Sequence, residues 1–166
     1  MPPIQTVFNE RTPVGLKGRR VDMGEWNTIT MLPEDDSVGV AVPVMQGTSD
    51  DQIVEYDGDG FFRGITELDQ VAVYDADDNY AQGYNVPVME FGVIWVVAGA
   101  AVVVGTAANF DAATKNWSTA GTVEVPGAFF ISSGASGDLV KVRIGKVSIP
   151  GPAGPQGPQG EPGGTT

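Results

Sequence analysis

The sequence from residue 86 to residue 97 reads Val-Pro-Val-Met-Glu-Phe-Gly-Val-Ile-Trp-Val-Val. Its two halves, residues 86–90 and 93–97, are short, apolar and rich in valine, which is typical of strands that face a folded core. Phe91-Gly92 between them has the composition of a turn. The stretch therefore predicts two short strands joined by a turn, in a domain built of β-structure.

Similar segments recur on both sides of this stretch. Glycine and proline interrupt the chain about every ten residues, a spacing typical of a barrel or sandwich and not of alternating strands and helices. Asp57-Gly58-Asp59-Gly60 and Ser133-Gly134 are strong turn signals, and the first favours a tight hairpin. Residues 69–75 fit either a strand or one helical turn. The other predicted strands are residues 28–32, 38–45, 53–56, 61–65, 101–104, 122–125, 128–130 and 139–144.

The composition changes abruptly after Val147, and Pro150 marks the boundary. Glycine then stands at every third position with prolines between, at Gly151, Gly154, Gly157, Gly160 and Gly163. This is the register of collagen, in which glycine is required because three polyproline II chains crowd one axis. Residues 148–166 are therefore either a collagen-like tail held by a trimer or a proline-rich flexible linker.

The chain contains neither cysteine nor histidine. Disulfides, thiolate metal sites, thiol nucleophiles and every Ser-His or Cys-His catalytic arrangement are thereby excluded. An enzyme would have to work with carboxylates, lysine, tyrosine or a hard metal. We expect a protein that is not an enzyme and that has no cofactor and no metal site.

Charge is unevenly distributed along the chain, whose net charge is −12. Residues 34–90 hold fourteen acidic side chains against one basic side chain, so we expect no binding to nucleic acid. Residues 1–27 are predicted to form an extended arm whose bases, Arg11, Lys17, Arg19 and Arg20, meet an acidic neighbour or form a solvated turn. No secretory signal is visible at Met1, and the apolar run 93–104 is too short for a membrane span.

Two features could be interpreted as binding sites. Residues 75–79, Asp-Ala-Asp-Asp-Asn, resemble a calcium loop, but Tyr80 and Val86 replace the glycine and glutamate that an EF-hand needs. A solvated acidic turn is the favoured interpretation. Trp26, Trp95 and Trp117 could line a sugar site, although tryptophan is more often a core residue or an interface anchor.

The order of several short segments resembles one known family. These segments are Val42-Pro-Val-Met-Gln-Gly-Thr48, Phe61-Phe-Arg-Gly-Ile65, Tyr84-Asn-Val-Pro-Val-Met89, Gly92-Val-Ile-Trp-Val96, Val103-Val-Gly105, Pro126-Gly-Ala-Phe129 and Ser133-Gly-Ala-Ser-Gly-Asp-Leu-Val-Lys-Val-Arg143. Each one is a strand end with a turn, and their order over about residues 5–145 carries the resemblance. The chain is similar to the structural cement, or capsid decoration, proteins of tailed bacteriophages.

The resemblance implies a small β-barrel or β-tulip domain, here residues 28–147. It also implies a virion protein on the outer surface of the head, assembled in the host cytoplasm, that bridges adjacent major capsid proteins as a homotrimer at (quasi-)threefold axes. An extended N-terminal arm would reach the capsid. The expected contacts are Arg11, Lys17, Arg19 and Arg20, with Met23 and Trp26 as apolar anchors.

A second hypothesis comes from the tail. A trimeric virion fibre or host-recognition component could display a glycan-binding domain on a collagen-like stalk. Binding to host cells that EDTA abolishes would favour this fibre hypothesis over the cement hypothesis.

Overall fold

The protein folds as an all-β domain in the computed structural model, which describes residues 15–22, 24–75 and 77–145. None of these residues is helical, so this part of the chain offers no helix able to cross a membrane. The all-β prediction is confirmed. The strands are β1 (Asn27–Pro33), β2 (Pro43–Gln46), β3 (Gln52–Glu55), β4 (Phe62–Thr66), β5 (Val86–Val97), β6 (Asn109–Asp111), β7 (Asn116–Ser118), β8 (Ala128–Phe130) and β9 (Leu139–Ile144).

Five strands close into a barrel, in the order β1-β3-β2-β4-β5, and β5 returns to pair with β1. The β1–β3 pair is parallel, with Leu32 opposite Gln52, and the other four pairs are antiparallel. Ile29 opposite Val88 marks the seam that closes the ring. Closure removes the exposed edges that an open sheet of this size would carry. The barrel prediction is confirmed.

The expected turn at Phe91-Gly92 is wrong, because β5 runs unbroken through both halves of the stretch. Its first half pairs with β1 and β4 in the barrel, and its second half pairs with β9, Ile94 lying opposite Val142. Gly92 has a φ of +142°, a conformation that favours glycine. Glycine here redirects the strand from one sheet to the next without ending it.

One hydrophobic core connects the barrel with the second sheet. Ile65 and Val88 of the barrel belong to the same buried cluster as Phe130 and Val142. Each such side chain contributes roughly 1.5–3 kcal/mol when it is fully buried. Trp117 is also fully buried, and its Nε1–H donates to the carbonyl of Ala41 at 2.9 Å.

The β6–β7 hairpin was not expected from the sequence. Each strand has three residues with one buried aromatic in the middle, Phe110 and Trp117, whose rings meet edge to face at 5.5 Å. Segments this short show no alternation of apolar and polar residues over several positions. The hairpin is held by the core that its two aromatic side chains enter.

Three predicted strands are wrong in whole or in part. Val38, Val40 and Val42 are buried, yet the chain turns at Ala41, where φ is +60°, before β2 begins. Residues 101–104 and 122–125 make only single bridges to other segments, through Val102 and Val123. Apolar runs in these places supply core side chains from loops, which periodicity alone does not distinguish from strands.

The Asp57–Gly60 segment turns as expected, with positive φ at Gly58 and Gly60, but it does not make a hairpin. The strands that it joins, β3 and β4, lie on either side of β2 instead of pairing with each other. Residues 69–75 are neither strand nor helix, and Tyr74 makes an isolated bridge to Tyr80.

Candidate functional site

The described part of the N-terminal arm lies against the free side of β5. Arg20 bridges Ile94, and backbone N–H groups donate from Gly18 to Trp95, from Trp95 to Arg19 and from Val21 to Val93, at 2.8–3.0 Å. Residues 18–21 thus form an added edge along the second half of β5. Arg11 and Met23 lie outside the described residues, as do the tail glycines Gly151, Gly154, Gly157, Gly160 and Gly163.

Arg20 is engaged within the domain. Its Nε lies 3.6 Å from a carboxylate oxygen of Glu67, and its guanidinium stacks 3.5 Å from the centre of the Trp26 ring. The other oxygen of the buried Glu67 accepts a hydrogen bond from Thr28 Oγ1 at 2.6 Å. A cation held over an aromatic ring and beside a carboxylate stabilises the docking of the arm.

Lys17 and Arg19 differ in their surroundings. Lys17 is half-buried, and burial lowers its pKa, assisted by the positive charge of Lys115 and opposed by the carboxylate of Asp78. Arg19 is exposed. Of the predicted contact bases that the structure describes, Arg19 therefore has the side chain best placed to reach another molecule.

An open cleft of about 760 Å³ separates the arm from the segment that follows β4. Arg19 and Arg20 lie on one side, and Asp69 and Val71 lie on the other. The arm side thus carries two bases and the carboxylate of Asp22, and the other side carries the carboxylates of Glu67 and Asp69 beside the apolar Val71. The complete lining is Gly18 to Asp22, Glu67 to Val71, and Pro87.

The second wall ends in a segment that we call the valine loop, residues 69–75, of which residues 69–71 line the cleft and Val73 lines a neighbouring depression with Tyr80. Val71 and Val73 are 85% and 84% exposed, more than the other large apolar side chains of the described chain. Exposed apolar groups of this kind mark contact sites when they occur together. The sequence interpretation missed them, although two valines alternating between Asp69 and Asp75 were an available signal.

Tyrosines hold the valine loop in place. The Asp69 N–H donates to the hydroxyl oxygens of Tyr74 and Tyr80, at 3.0 and 3.1 Å. Tyr84 donates to the Asp69 carboxylate at 3.0 Å, and the other oxygen of that carboxylate accepts the Val71 N–H at 2.9 Å. The exposed valines are therefore presented on an ordered backbone and not on a loose one.

In the acidic turn that follows the valine loop, the first carboxylate, that of Asp75, accepts hydrogen bonds from the backbone of the same turn. Asp75 accepts N–H bonds from Asp77 and Asn79 at 2.9 and 2.8 Å, and these bonds lower the pKa of Asp75. Within the residues that the structure describes, no three acidic side chains are grouped so as to hold a metal ion. The arrangement is that of an Asx-stabilised turn.

The tryptophans occupy different environments. Trp117 is in the core, Trp95 is half-buried with the Lys141 ammonium 5.2 Å from its ring, and Trp26 is 39% exposed beneath Arg20. Trp26 is thus the one placed at the surface near the cleft. Its predicted role as an apolar anchor stays a prediction.

Comparison with known protein families gives a match that extends over residues 4–145. It is to the family described as structural cement protein (E217 gp24/Pam3 gp6). The chain belongs to this phage cement family. Cement proteins are structural components of the virion head and bind capsid proteins there. As a member of the family, this chain is a structural protein of a phage head that binds capsid proteins.

The collagen-like segment lies beyond the residues that match the cement family. No curated protein matches the chain. Among solved structures, the chain is similar to the head fibre gp8.5 N base of bacteriophage phi29, at 15% identity and a TM-score of 0.39. The alignment covers 75% of this chain and 98% of that one.

The structure brings some of the expected cement contacts together. Arg19 and Arg20 line the same cleft as Val71, and Trp26 packs against Arg20. Lys17 faces the charges of Asp78 and Lys115 instead. The roles of these residues at the capsid, and the division of the chain at residues 27 and 147, stay predictions.

Proposed function

We propose that this cement protein binds the outer surface of the expanded head as a homotrimer at (quasi-)threefold axes. There it bridges adjacent major capsid proteins and stabilises the shell. The match of residues 4–145 to the cement family carries the proposal. We further propose that the role is purely structural, which the absence of histidine and cysteine from the chain supports.

The cleft and the valine loop are the surface that we assign to the capsid. A clamp needs apolar anchors and complementary charge instead of reactive groups, and anchor quality matters more than contact area. Val71 and Val73 supply the anchors, and the exposed Arg19 supplies a charge on the opposite wall. Many identical sites on one shell then give strong retention without a tight single contact.

Co-sedimentation with undecorated, expanded heads of the same phage tests the proposal. Titration to saturation is expected to give a fixed number of copies for each threefold site, and greater resistance of the heads to heat. Absence of binding to heads, together with EDTA-sensitive binding to host cells, would favour the fibre hypothesis instead.

Variants in the same assay test the assigned surface. The Val71→Ser/Val73→Ser double variant and Arg19→Glu are each expected to weaken head binding about tenfold or more, because buried anchors and facing charges dominate such contacts. Arg19 is chosen over Arg20 because reversal at Arg20 would also disrupt the contacts with Glu67 and Trp26.

Phe61→Ser is the matched control, since Phe61 is 46% exposed and does not line the cleft. It should bind heads like the wild type. Unchanged affinity in both cleft variants would show that the capsid contact lies elsewhere on the protein.

A further inference from the structure

A second exposed apolar surface lies on the other side of the molecule from the arm. Val103 and Val104 are 60% and 57% exposed, and Phe129 is 36% exposed. We call these three residues the β8 patch. The capsid surface proposed above leaves this patch unexplained.

The β8 patch is held by hydrogen bonds between its two segments. Val103 and Val104 lie in a turn, closed by the Thr106 N–H donating to the Val103 carbonyl at 3.3 Å, between an antiparallel bridge from Val102 to Gly134 and another from Ala107 to Phe129. The Gly105 N–H donates to the Phe130 carbonyl at 2.8 Å, and the Val104 N–H donates to Ser133 Oγ at 3.0 Å. The apolar side chains therefore stand on a defined surface.

The Phe129 end of this surface adjoins the point where the chain leaves the domain toward its collagen-like segment. Phe129 pairs with Arg143 and Ala128 with Ile144, at the end of β9. The Gly145 N–H then donates to the Gly127 carbonyl at 3.1 Å. The first glycine of the repeating register, Gly151, follows six residues after Gly145.

Glycine at every third position is required only where three such chains share an axis. At about 3.3 Å for each extended residue, six residues span at most about 20 Å. If three tails join at Gly151, Gly145 of each copy lies within about that distance of the axis. The end of β9, and Phe129 beside it, then lie close to the other two copies.

We propose that the β8 patch is the self-association surface of this protein, and that it packs against other copies of the chain in a trimer whose axis passes beside the end of β9. This inference rests on the proposed trimer, and it adds the surface through which the three copies contact each other. Near a threefold axis, Phe129 of each copy meets its own counterparts, so that apolar side chains leave water together.

The position of the arm is consistent with this arrangement. Ile94 of β5 pairs with Val142 of β9 on one side and with Arg20 of the arm on the other. The arm and the β8 patch therefore occupy opposite sides of the second sheet. Association through the β8 patch leaves the cleft beside Arg20 open to the capsid.

Sedimentation velocity of the full chain tests the face. The wild type is expected to sediment as a trimer, whereas the Val103→Ser/Val104→Ser/Phe129→Ser variant is expected to lose the trimer and sediment as the 17.3 kDa monomer. The Val71→Ser/Val73→Ser variant, altered on the valine loop, should stay trimeric. Thermal unfolding of each variant confirms that the domain is still folded.

A single-cysteine variant covers the case in which trimers form only on heads. Because the native chain has no cysteine, Phe129→Cys places one thiol at the expected axis. Mild oxidation of saturated heads should then produce disulfide-linked pairs of this chain. The same substitution at Phe61, which is exposed and lies outside both the cleft and the β8 patch, should produce none.

The outcomes of these experiments test the assigned surface and the existence of the trimer separately. If the triple-serine variant is folded and remains trimeric, the β8 patch is not the self-association surface, although the trimer itself stands. If that variant also loses head binding, the β8 patch contacts the capsid instead. The inference is also wrong if the wild type is monomeric in solution and the Phe129→Cys variant binds heads without forming disulfide-linked pairs. The cement role would still stand in that case. Absence of head binding altogether overturns the proposed function itself.

Discussion

Gly18 shows how one residue controls the docking of the arm. It is buried, its φ is +80°, and a Cβ built on it would lie 2.3 Å from Val40 Cγ1 and 3.0 Å from the backbone nitrogen of Leu68. The Leu68 N–H also donates to the Gly18 carbonyl at 2.8 Å. A side chain at this position would push the arm away from the wall of the cleft.

We expect Gly18→Ala to lower the free energy of unfolding by about 2–4 kcal/mol, since left-handed strain and overpacking add. Urea denaturation measures this change. Gly83→Ala is the matched control, because Gly83 has a φ of +72° with open space around it. It should cost about 1–2 kcal/mol, from strain alone. Equal losses in the two variants would mean that the arm does not need close packing at Gly18.

Among the elements, the valine loop depends on a cluster of tyrosines. Tyr80 is buried, its hydroxyl donates to the Glu67 carbonyl, and its ring stacks on Tyr84 with centres 5.8 Å apart. Burial raises the pKa of Tyr80 and of Tyr74, and the hydrogen bond to the Asp69 carboxylate raises the pKa of Tyr84. The folded loop thus requires neutral phenols.

The sign of the pH dependence follows from these shifts. Each folded-state pKa lies above the unfolded value of about 10, so this contribution to stability is complete below about pH 10 and is lost as the pH rises further. We expect urea denaturation to show lower stability at about pH 11 than at about pH 8. Ultraviolet titration of the phenols should show ionisation delayed in the folded protein relative to the urea-unfolded chain.

Tyr80→Phe should reduce this loss of stability at alkaline pH, because it removes one phenol that must stay neutral in the folded protein. It should also cost about 1 kcal/mol at neutral pH, since the Glu67 carbonyl loses its donor. Tyr56→Phe is the comparison variant: burial also raises the pKa of Tyr56, which packs against Phe62 away from the cluster, but Tyr80 is more deeply buried, so Tyr56→Phe should reduce the loss at alkaline pH by less. If the two variants respond alike to alkaline pH, the cluster is not the source of the effect.

At the scale of the whole molecule, one continuous core serves both the barrel and the second sheet. The described residues that build this core end at Ile144, and the family match ends at residue 145. The predicted boundary at residue 147 therefore falls just beyond both. From these limits we predict that the collagen-like segment is a separable addition to the cement domain.

Truncation after Val147 is expected to leave the thermal unfolding midpoint of the domain unchanged within about 2 °C, because no core residue is removed. Calorimetry of the full and shortened chains measures this difference. Retained binding of the shortened chain to heads would locate the cement activity in the domain. A shortened chain that fails to fold would show that the boundary is wrong.

Several elements could be read from the sequence with little error. β8 and β9 lie where expected, and β1, β3 and β4 differ by one residue at each end or fewer. Each combines β-branched or aromatic residues with a clear turn beside it, so that local information suffices. For the site, the basic arm was visible as a run of charges, whereas the valine loop was not distinguished from its acidic surroundings.

Composition and pattern were enough to predict an all-β chain, acidic, without histidine or cysteine and with a collagen register after Pro150, and the order of its short segments resembled the cement family. Those properties depend on which residues are present and on their spacing along the chain. Only the tertiary structure showed that β5 belongs to two sheets, that Phe110 and Trp117 enter the core from a hairpin, and that Arg20 is held by Glu67 and Trp26. Each of these depends on contacts between residues far apart in sequence, which no local pattern encodes.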